Sequence, residues 1–98
     1  MATFVTTIQF TEQGIKSIKD SPKRATAFKA AAKTLGVKVT SLYWTLGPFD
    51  GVIVCDAPDE ATVTAAMLQL SMLGNVKTST ARAFDTGEME KIVGMIGK

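Results

Sequence analysis

Hydrophobic residues in this chain recur with two different spacings, and the order in which these spacings alternate limits the fold. The segment TFVTTIQF, residues 3–10, alternates apolar and polar positions, as a strand with one buried face does. Similar strand-like runs cover residues 37–46, 51–55 and 75–84. Apolar residues recur every three or four positions over residues 11–35 and 59–73, which predicts helices there. The expected order is therefore β-α-β-β-α-β.

Local signals set the boundaries of the first helical region. Ser21 and Pro22 interrupt its apolar pattern, so we expect a short helix, a break at Ser21 and a longer helix that ends at Leu35. Pro22 suits the first turn of the longer helix, because its missing N–H would have had no intrahelical acceptor. Gly36 suits the left-handed residue that closes a helix.

The predicted order is that of an α+β, ferredoxin-like β-α-β-β-α-β sandwich, with two helices on one face of a four-stranded antiparallel sheet. We expect a single domain over residues 1–98, with a short amphipathic helix after Thr86. Tyr43 and Trp44 are neighbours in a strand and must point to opposite faces, so a large aromatic lies on each side of the sheet. The face away from the helices needs a cover, and we therefore expect a homodimer or a higher homo-oligomer.

The composition excludes several classes of function. The chain has no His and one Cys, which excludes an internal disulfide, a multi-cysteine metal cluster and a histidine-ligated haem. We expect no metal and no cofactor. The net charge of +2 is too small for a nucleic-acid footprint. The sequence shows neither a signal peptide nor a membrane span, so we expect a cytoplasmic protein without a membrane partner.

Several segments of the chain resemble the GYD-domain family of small bacterial proteins. They are TEQG, SPKR, YWTLGPFD, DAPDE and LGNVKTSTARAF, and they cover nearly the whole chain in the family's order. The resemblance implies a ferredoxin-like fold related to the dimeric α/β-barrel proteins, and it implies no activity, because the family has no established one. The family's Gly-x-Tyr-Asp signature appears here as Gly47-Pro48-Phe49-Asp50. A phenol at position 49 is therefore not essential in this member.

The loop formed by these four residues has two interpretations. It can be a tight hairpin, in which Gly47 tolerates positive φ, Pro48 fixes a corner and Asp50 accepts backbone hydrogen bonds. It can also lie at the rim of a cavity between helices and sheet, where Phe49 supplies an apolar wall and Asp50 an anion or a general base. Under the second interpretation, the candidate ligand-binding residues are Tyr43, Trp44, Phe49, Asp50 and Arg82.

Four residues outside the loop each carry both a structural and a functional interpretation. Lys23 and Arg24 stand near the positive end of a helix dipole, where they can bind an anion or remain solvated and pair with an acid. Arg82 can face a ligand or Asp50 from the last strand, or it can be an edge charge that opposes aggregation. Cys55 lies in an apolar strand without a histidine to activate it, which favours a core side chain over a nucleophile.

The leading hypothesis is a small cytoplasmic, homo-oligomeric binding or regulatory protein without established catalysis. The alternative is a cofactor-independent enzyme, similar to a monooxygenase or an isomerase, that acts on a small aromatic or ketide-like molecule in a helix–sheet cavity. That alternative rests on analogy with dimeric α/β-barrel relatives. An RNA-binding module is the least favoured, because the third strand, GVIVCDA, has no aromatic residue on which a base could stack.

Overall fold

In the computed structural model, which describes residues 1–97, a four-stranded sheet carries two long helices on one face. The strands are β1 (Ala2–Phe10), β2 (Lys38–Trp44), β3 (Gly51–Ala57) and β4 (Val76–Ala83). The helices are α1 (Glu12–Lys16), α2 (Ser21–Thr34), α3 (Glu60–Met72) and α4 (Thr86–Gly94), and a 3-10 turn at Ile18–Asp20 joins α1 to α2. The order of elements is the predicted one, but the break falls before Ser21 and not at it, since Ser21 is already the first residue of α2.

The strand order in the sheet is β2-β3-β1-β4, and every neighbouring pair is antiparallel. The two central strands are β1 and β3, and Phe4 of β1 lies opposite both Cys55 and Arg82. A bulge between Val39 and Ser41 interrupts the pairing of β2 with β3. This topology confirms the predicted α+β, ferredoxin-like fold.

The core lies between the sheet and the helices α2 and α3. Alternate residues of β3 are buried, because its pleat sends every second side chain toward the helices. The buried apolar residues are Phe4, Phe28, Ala32, Val37, Ile53, Cys55, Ala57, Val63, Ala66 and Met67. Burial raises the pKa of the Cys55 thiol, and the negative charge of Asp56 raises it further. Cys55 is therefore a core side chain with little thiolate at neutral pH.

The opposite face of the sheet carries side chains from β1, β2 and β3. Val5, Val52 and Val54 lie there in register, and Tyr43 stands opposite Val52. Tyr43 is 63% exposed, whereas Trp44 points to the helix side of the same strand. The predicted division of the two aromatic residues between the two faces is confirmed.

Helix α4 follows β4 after a short connection and begins with a capping box. Asp85 accepts from the Glu88 amide, and the Glu88 carboxylate accepts from the Asp85 amide. Glu88 also forms an ion pair with Arg82 at 2.9 Å, and the Arg82 guanidinium stacks over Phe84 at 4.5 Å from the ring centroid. The expected C-terminal helix is thus present and fastened at its first turn. No helix within residues 1–97 is long and apolar enough to cross a membrane.

Candidate functional site

A cavity lies between the sheet and the helices α2 and α3, beside the loop that joins β2 to β3. Its volume is about 60 Å³, which is room for a few waters or a small organic group. Its wall is mostly apolar and includes Ile8, Phe10, Phe28, Leu42, Trp44 and Leu70. The polar residues on the wall are Ser21, Arg24, Asp50 and Asn75.

Trp44 forms part of the cavity rim and connects β2 to the start of α2. Its indole Nε1 donates a hydrogen bond to Ser21 Oγ at 2.9 Å, and Ser21 is buried. The Trp44 side chain is 49% exposed, so the ring closes one side of the rim rather than filling the core. A half-exposed aromatic ring at a cavity rim can contact both the core and an incoming apolar molecule.

The contacts of Asp50 fit both interpretations of the loop. Its carboxylate Oδ2 accepts from the Phe10 amide at 2.9 Å, and its own amide donates to the Ile8 carbonyl at 2.7 Å. The Asp50 carbonyl accepts from the Thr45 amide at 2.9 Å, which closes the loop on itself. Asp50 therefore fastens the loop to the end of β1 while it also lines the cavity.

The other loop residues have mainly structural contacts. Gly47 has a φ of +102°, in the left-handed region that the hairpin interpretation requires. The Phe49 carbonyl accepts from Thr45 Oγ1 at 2.7 Å, and the Phe49 side chain is half-buried. Tyr43 contributes to the cavity wall through its strand, although its side chain points to the other sheet face. Of the five candidate ligand-binding residues, Trp44 and Asp50 have the contacts that suit a rim.

Arg82 does not meet Asp50. It lies opposite Phe4, whereas the Asp50 carboxylate binds Phe10, and six residues of β1 separate those two positions by about 20 Å. Arg82 pairs with Glu88 instead, and the hydrogen bond from Arg82, followed by the one from the Asp85 amide, lowers the pKa of the Glu88 carboxyl. The guanidinium thus fastens α4 to the sheet.

Lys23 and Arg24 point in different directions at the start of α2. Arg24 Nη1 donates to the Ser17 carbonyl at 2.9 Å and to Ser17 Oγ at 3.2 Å. These contacts satisfy groups at the carboxyl end of α1, where a positive charge is favourable. Lys23 is exposed. The structure does not bring the two cations together around a common point.

Gly14 is a structural position beside the cavity that the sequence did not single out. It is buried in α1, and a Cβ at this position would overlap the main-chain carbonyl oxygen of Asn75. Thr11 holds the same two segments together, because its amide donates to the Asn75 carbonyl at 3.1 Å and its Oγ1 donates to the Gly74 carbonyl at 2.6 Å. These contacts fix the position of Asn75, which lines one end of the cavity. A glycine within a helical segment was the available signal.

The polar residues of the wall already have hydrogen-bond partners within the chain. Ser21 accepts from Trp44, Arg24 donates to Ser17, Asp50 accepts from Phe10, and Asn75 accepts from Gln13. The cavity therefore offers an incoming molecule chiefly apolar contact, with the Asp50 carboxylate as the nearest anionic group. Within residues 1–97 no cluster of three or more His, Cys, Asp or Glu side chains is arranged to hold a metal ion.

Comparisons with known proteins agree with this architecture. The family model of the GYD domain matches residues 4–93. A relative from Thermus thermophilus, named glutamine synthetase and cystathionine beta-lyase binding protein, is 36% identical over 90 residues, which are 91% of this chain and 95% of the relative.

Two solved structures share the fold. The crystal structure of a protein from Thermus thermophilus has a TM-score of 0.57 and 24% identity, and the match covers 88% of this chain and 96% of that one. A protein of unknown function from Galdieria sulphuraria has a TM-score of 0.51 and 21% identity, with 87% of this chain and 46% of that chain covered.

Proposed function

The chain belongs to the GYD-domain family, and from that membership we propose that it is a small, homo-oligomeric binding protein that regulates or recruits a metabolic enzyme. The relative that is 36% identical over nearly the whole chain is named for binding two enzymes, glutamine synthetase and cystathionine beta-lyase. Those two enzymes are therefore the first candidate partners of this chain. A cytoplasmic location is part of the proposal, since both candidate partners are metabolic enzymes.

The observation that carries the proposal is the amount of apolar surface outside the core. Large apolar side chains remain exposed outside the core, with Met89 at 49%, Val93 at 51% and Met95 at 83% among them. Small monomers rarely expose contiguous apolar patches, and larger patches mark interaction sites. The polar groups of the cavity are already hydrogen-bonded within the chain, and many apolar groups face outward. Such a chain is better suited to binding another protein than to catalysis.

The homo-oligomer is proposed on the face of the sheet that lies away from the helices. Val5, Val52, Val54 and Tyr43 form an apolar band there. Two copies can cover this band by packing the same face against itself about a two-fold axis, so that one surface serves both partners. We expect light scattering to give at least twice the 10.4 kDa chain mass at micromolar concentration.

A matched pair of variants tests that interface. Val54→Lys places a charge in the centre of the band and should lower the mass, whereas Leu46→Lys adds the same charge in the loop between β2 and β3, where Leu46 is 98% exposed, and should leave the mass unchanged. A wild-type mass of 10.4 kDa would refute the homo-oligomer.

Binding of the enzyme partner is tested directly with purified proteins. Glutamine synthetase and cystathionine beta-lyase from the same organism are immobilised separately, and binding of this chain is followed by interferometry. We expect saturable binding to at least one of them. The absence of saturation with both enzymes up to about 1 mM, where the binding free energy is only about 4 kcal/mol, would contradict the proposed partners.

The cavity favours a second candidate function, a cofactor-independent enzyme that acts on a small aromatic or ketide-like molecule. Its apolar wall suits such a molecule, and the Asp50 carboxylate is placed to take a proton. Trp44 is the only Trp in the chain and lies at the rim, so its fluorescence reports binding of small aromatic compounds. Turnover of a bound compound that Asp50→Asn abolishes would favour this second candidate.

A further inference from the structure

Helix α3 is apolar on both of its sides. Its inner side packs into the core through Val63, Ala66 and Met67, which are buried. Its outer side carries Leu68 at 60% exposure and Met72 at 82%. A surface helix ordinarily places charged residues on its outer face. Here residues 61–76 contain no charged residue at all.

The outer apolar residues form one continuous stripe, which we name the outer seam: Ala61, Ala65, Leu68 and Met72. Each of these residues is exposed, and the steps between them are four, three and four positions. This spacing keeps the side chains on one line along a helix and is the spacing by which two helices pack against each other. The outer seam is therefore suited to another helix.

We propose that the outer seam binds the α3 helix of a second copy of this chain, with the two helices antiparallel. The side chains of the seam are small in its amino-terminal half, with Ala61 and Ala65, and large in its carboxyl-terminal half, with Leu68 and Met72. An antiparallel pair with its two-fold axis midway between Ala65 and Leu68 sets Ala65 level with Leu68 of the second copy. The same axis sets Ala61 level with the second copy's Met72. Every large side chain then meets a small one, as in a well-packed interface.

The alternative arrangements of the same seam pack less well. A parallel pair would set Leu68 against Leu68 and Met72 against Met72 at one end, while Ala61 and Ala65 would leave a gap at the other. The antiparallel pair also brings the positive end of each helix dipole to the negative end of the other. The second copy therefore fits the seam in one orientation.

The neighbouring helix leaves room for this pairing. Helix α2 contacts α3 on the same side of the sheet, and its exposed side chains include the small residues Thr26, Ala27, Ala30 and Thr34. The longer side chains of Lys29 and Lys33 lie beside the start of β2, along the other flank of α2. Small residues next to the seam allow two helical layers to approach closely.

This interface is separate from the one in the proposed function. The outer seam lies on the helix side of the molecule, whereas Val54 and its neighbours lie on the opposite face of the sheet. One interface can therefore fail without the other, and the α3 pairing does not depend on an enzyme partner.

Disulfide trapping tests the predicted neighbours. Ala65→Cys and Leu68→Cys are prepared as separate proteins, mixed and mildly oxidised; native Cys55 is buried and can stay. We expect a cross-linked dimer in the mixture at several times the yield of either variant alone, because position 65 meets position 68 only across the pair. Ala65→Cys mixed with Glu90→Cys, whose thiol lies on α4, is the control and should not cross-link above background. Equal yields in the two mixtures would overturn the proposal.

Two variants that each add a negative charge to α3 give the second measurement. Leu68→Glu should halve the mass found by sedimentation, because it buries a carboxylate in the seam. Gln69→Glu adds the same charge one residue beside the seam and should leave the mass unchanged. Circular dichroism confirms that both variants are folded. An unchanged mass for Leu68→Glu would overturn the α3 pairing, even where Val54→Lys dissociates the sheet-face dimer and so supports the proposed function. Loss of enzyme binding by Leu68→Glu without a change in mass would likewise overturn it, in favour of a seam covered by the enzyme.

Discussion

The carboxylate of Asp50 holds the main-chain amide of Phe10 across 40 residues of sequence, with 2.9 Å between Oδ2 and N. The loop between β2 and β3 is thus attached to the end of β1, at the rim of the apolar cavity. The loop is part of the sheet's hydrogen-bonded structure, and this attachment determines how its residues respond to substitution.

Asp50→Ala should lower the free energy of unfolding by about 1–2 kcal/mol, because the Phe10 amide loses its acceptor. Asp50→Asn keeps an oxygen of the same shape and should cost clearly less. Both values are measured by urea denaturation, with Phe49→Tyr as a control that is expected to be nearly neutral. Equal losses for Asn and Ala would mean that the negative charge, and not the acceptor, is what the loop requires.

Trp44→Phe should cost about 1 kcal/mol, since it leaves the buried Ser21 hydroxyl without its donor. Trp44→Ala should cost about 2 kcal/mol, below the roughly 3–5 kcal/mol of a fully buried Trp, because half of this ring is already exposed. Denaturant titration gives both numbers. A loss near the upper end of the buried range would show that an oligomer covers the ring.

Gly14→Ala should destabilise the protein by about 1–3 kcal/mol, because the added methyl group overlaps the Asn75 carbonyl and the helix must shift away from it. Gly94→Ala is the matched control. Its Cβ would stand in open space at the end of α4, and Ala is a better helix former than Gly by about 1 kcal/mol. Thermal unfolding of the two variants should therefore move in opposite directions, and a neutral Gly14→Ala would contradict the close approach.

The attachment of α4 should depend on pH through Glu88, whose pKa is lowered in the folded chain by Arg82 and then by the Asp85 amide. Because the pKa of Glu88 is lower in the folded chain, its ionised carboxylate stabilises the attachment of α4 fully above the ordinary glutamate pKa of about 4.3. This stabilisation disappears as pH falls through the lower folded value. We expect the NMR signals of α4 to show loosening in that acidic range. Glu88→Gln should remove this response, whereas Glu90→Gln, on the same helix, should retain it.

The order of strands and helices could be predicted because each segment carries its own periodicity, and residues such as Pro22 and Gly36 mark the helix ends locally. The hairpin differs slightly from its predicted bounds. Strand β2 ends at Trp44 and leaves Leu46 98% exposed in the loop, because Asp50 binds Thr45 and Ile8 and so closes the turn earlier than the apolar run suggests.

The site could be predicted only in part, because its contacts join residues distant in sequence. The candidates Trp44 and Asp50 lie at the cavity, but their partners Ser21 and Phe10 belong to other elements. Arg82 is a reasonable candidate partner for Asp50 by residue type, and no local pattern could show that it binds Glu88, six residues further along, instead. Pattern reasoning finds residue types that suit a site, whereas the fold decides which of them meet.

The position of β1 in the centre of the sheet has a consequence for the way the chain folds. Its register runs from Thr3 opposite Ala83 to Phe10 opposite Val76, so the first strand made completes its hydrogen bonds only with the last. The β2–β3 hairpin can form early because it is local, and β1 can pair with β3 once residue 57 has been made, but the other edge of β1 must wait for β4. During that interval the Thr- and Val-rich first strand has one or both edges open to other nascent chains. We therefore expect the open edge of β1 to be the part of the sheet most exposed to aggregation until β4 pairs with it.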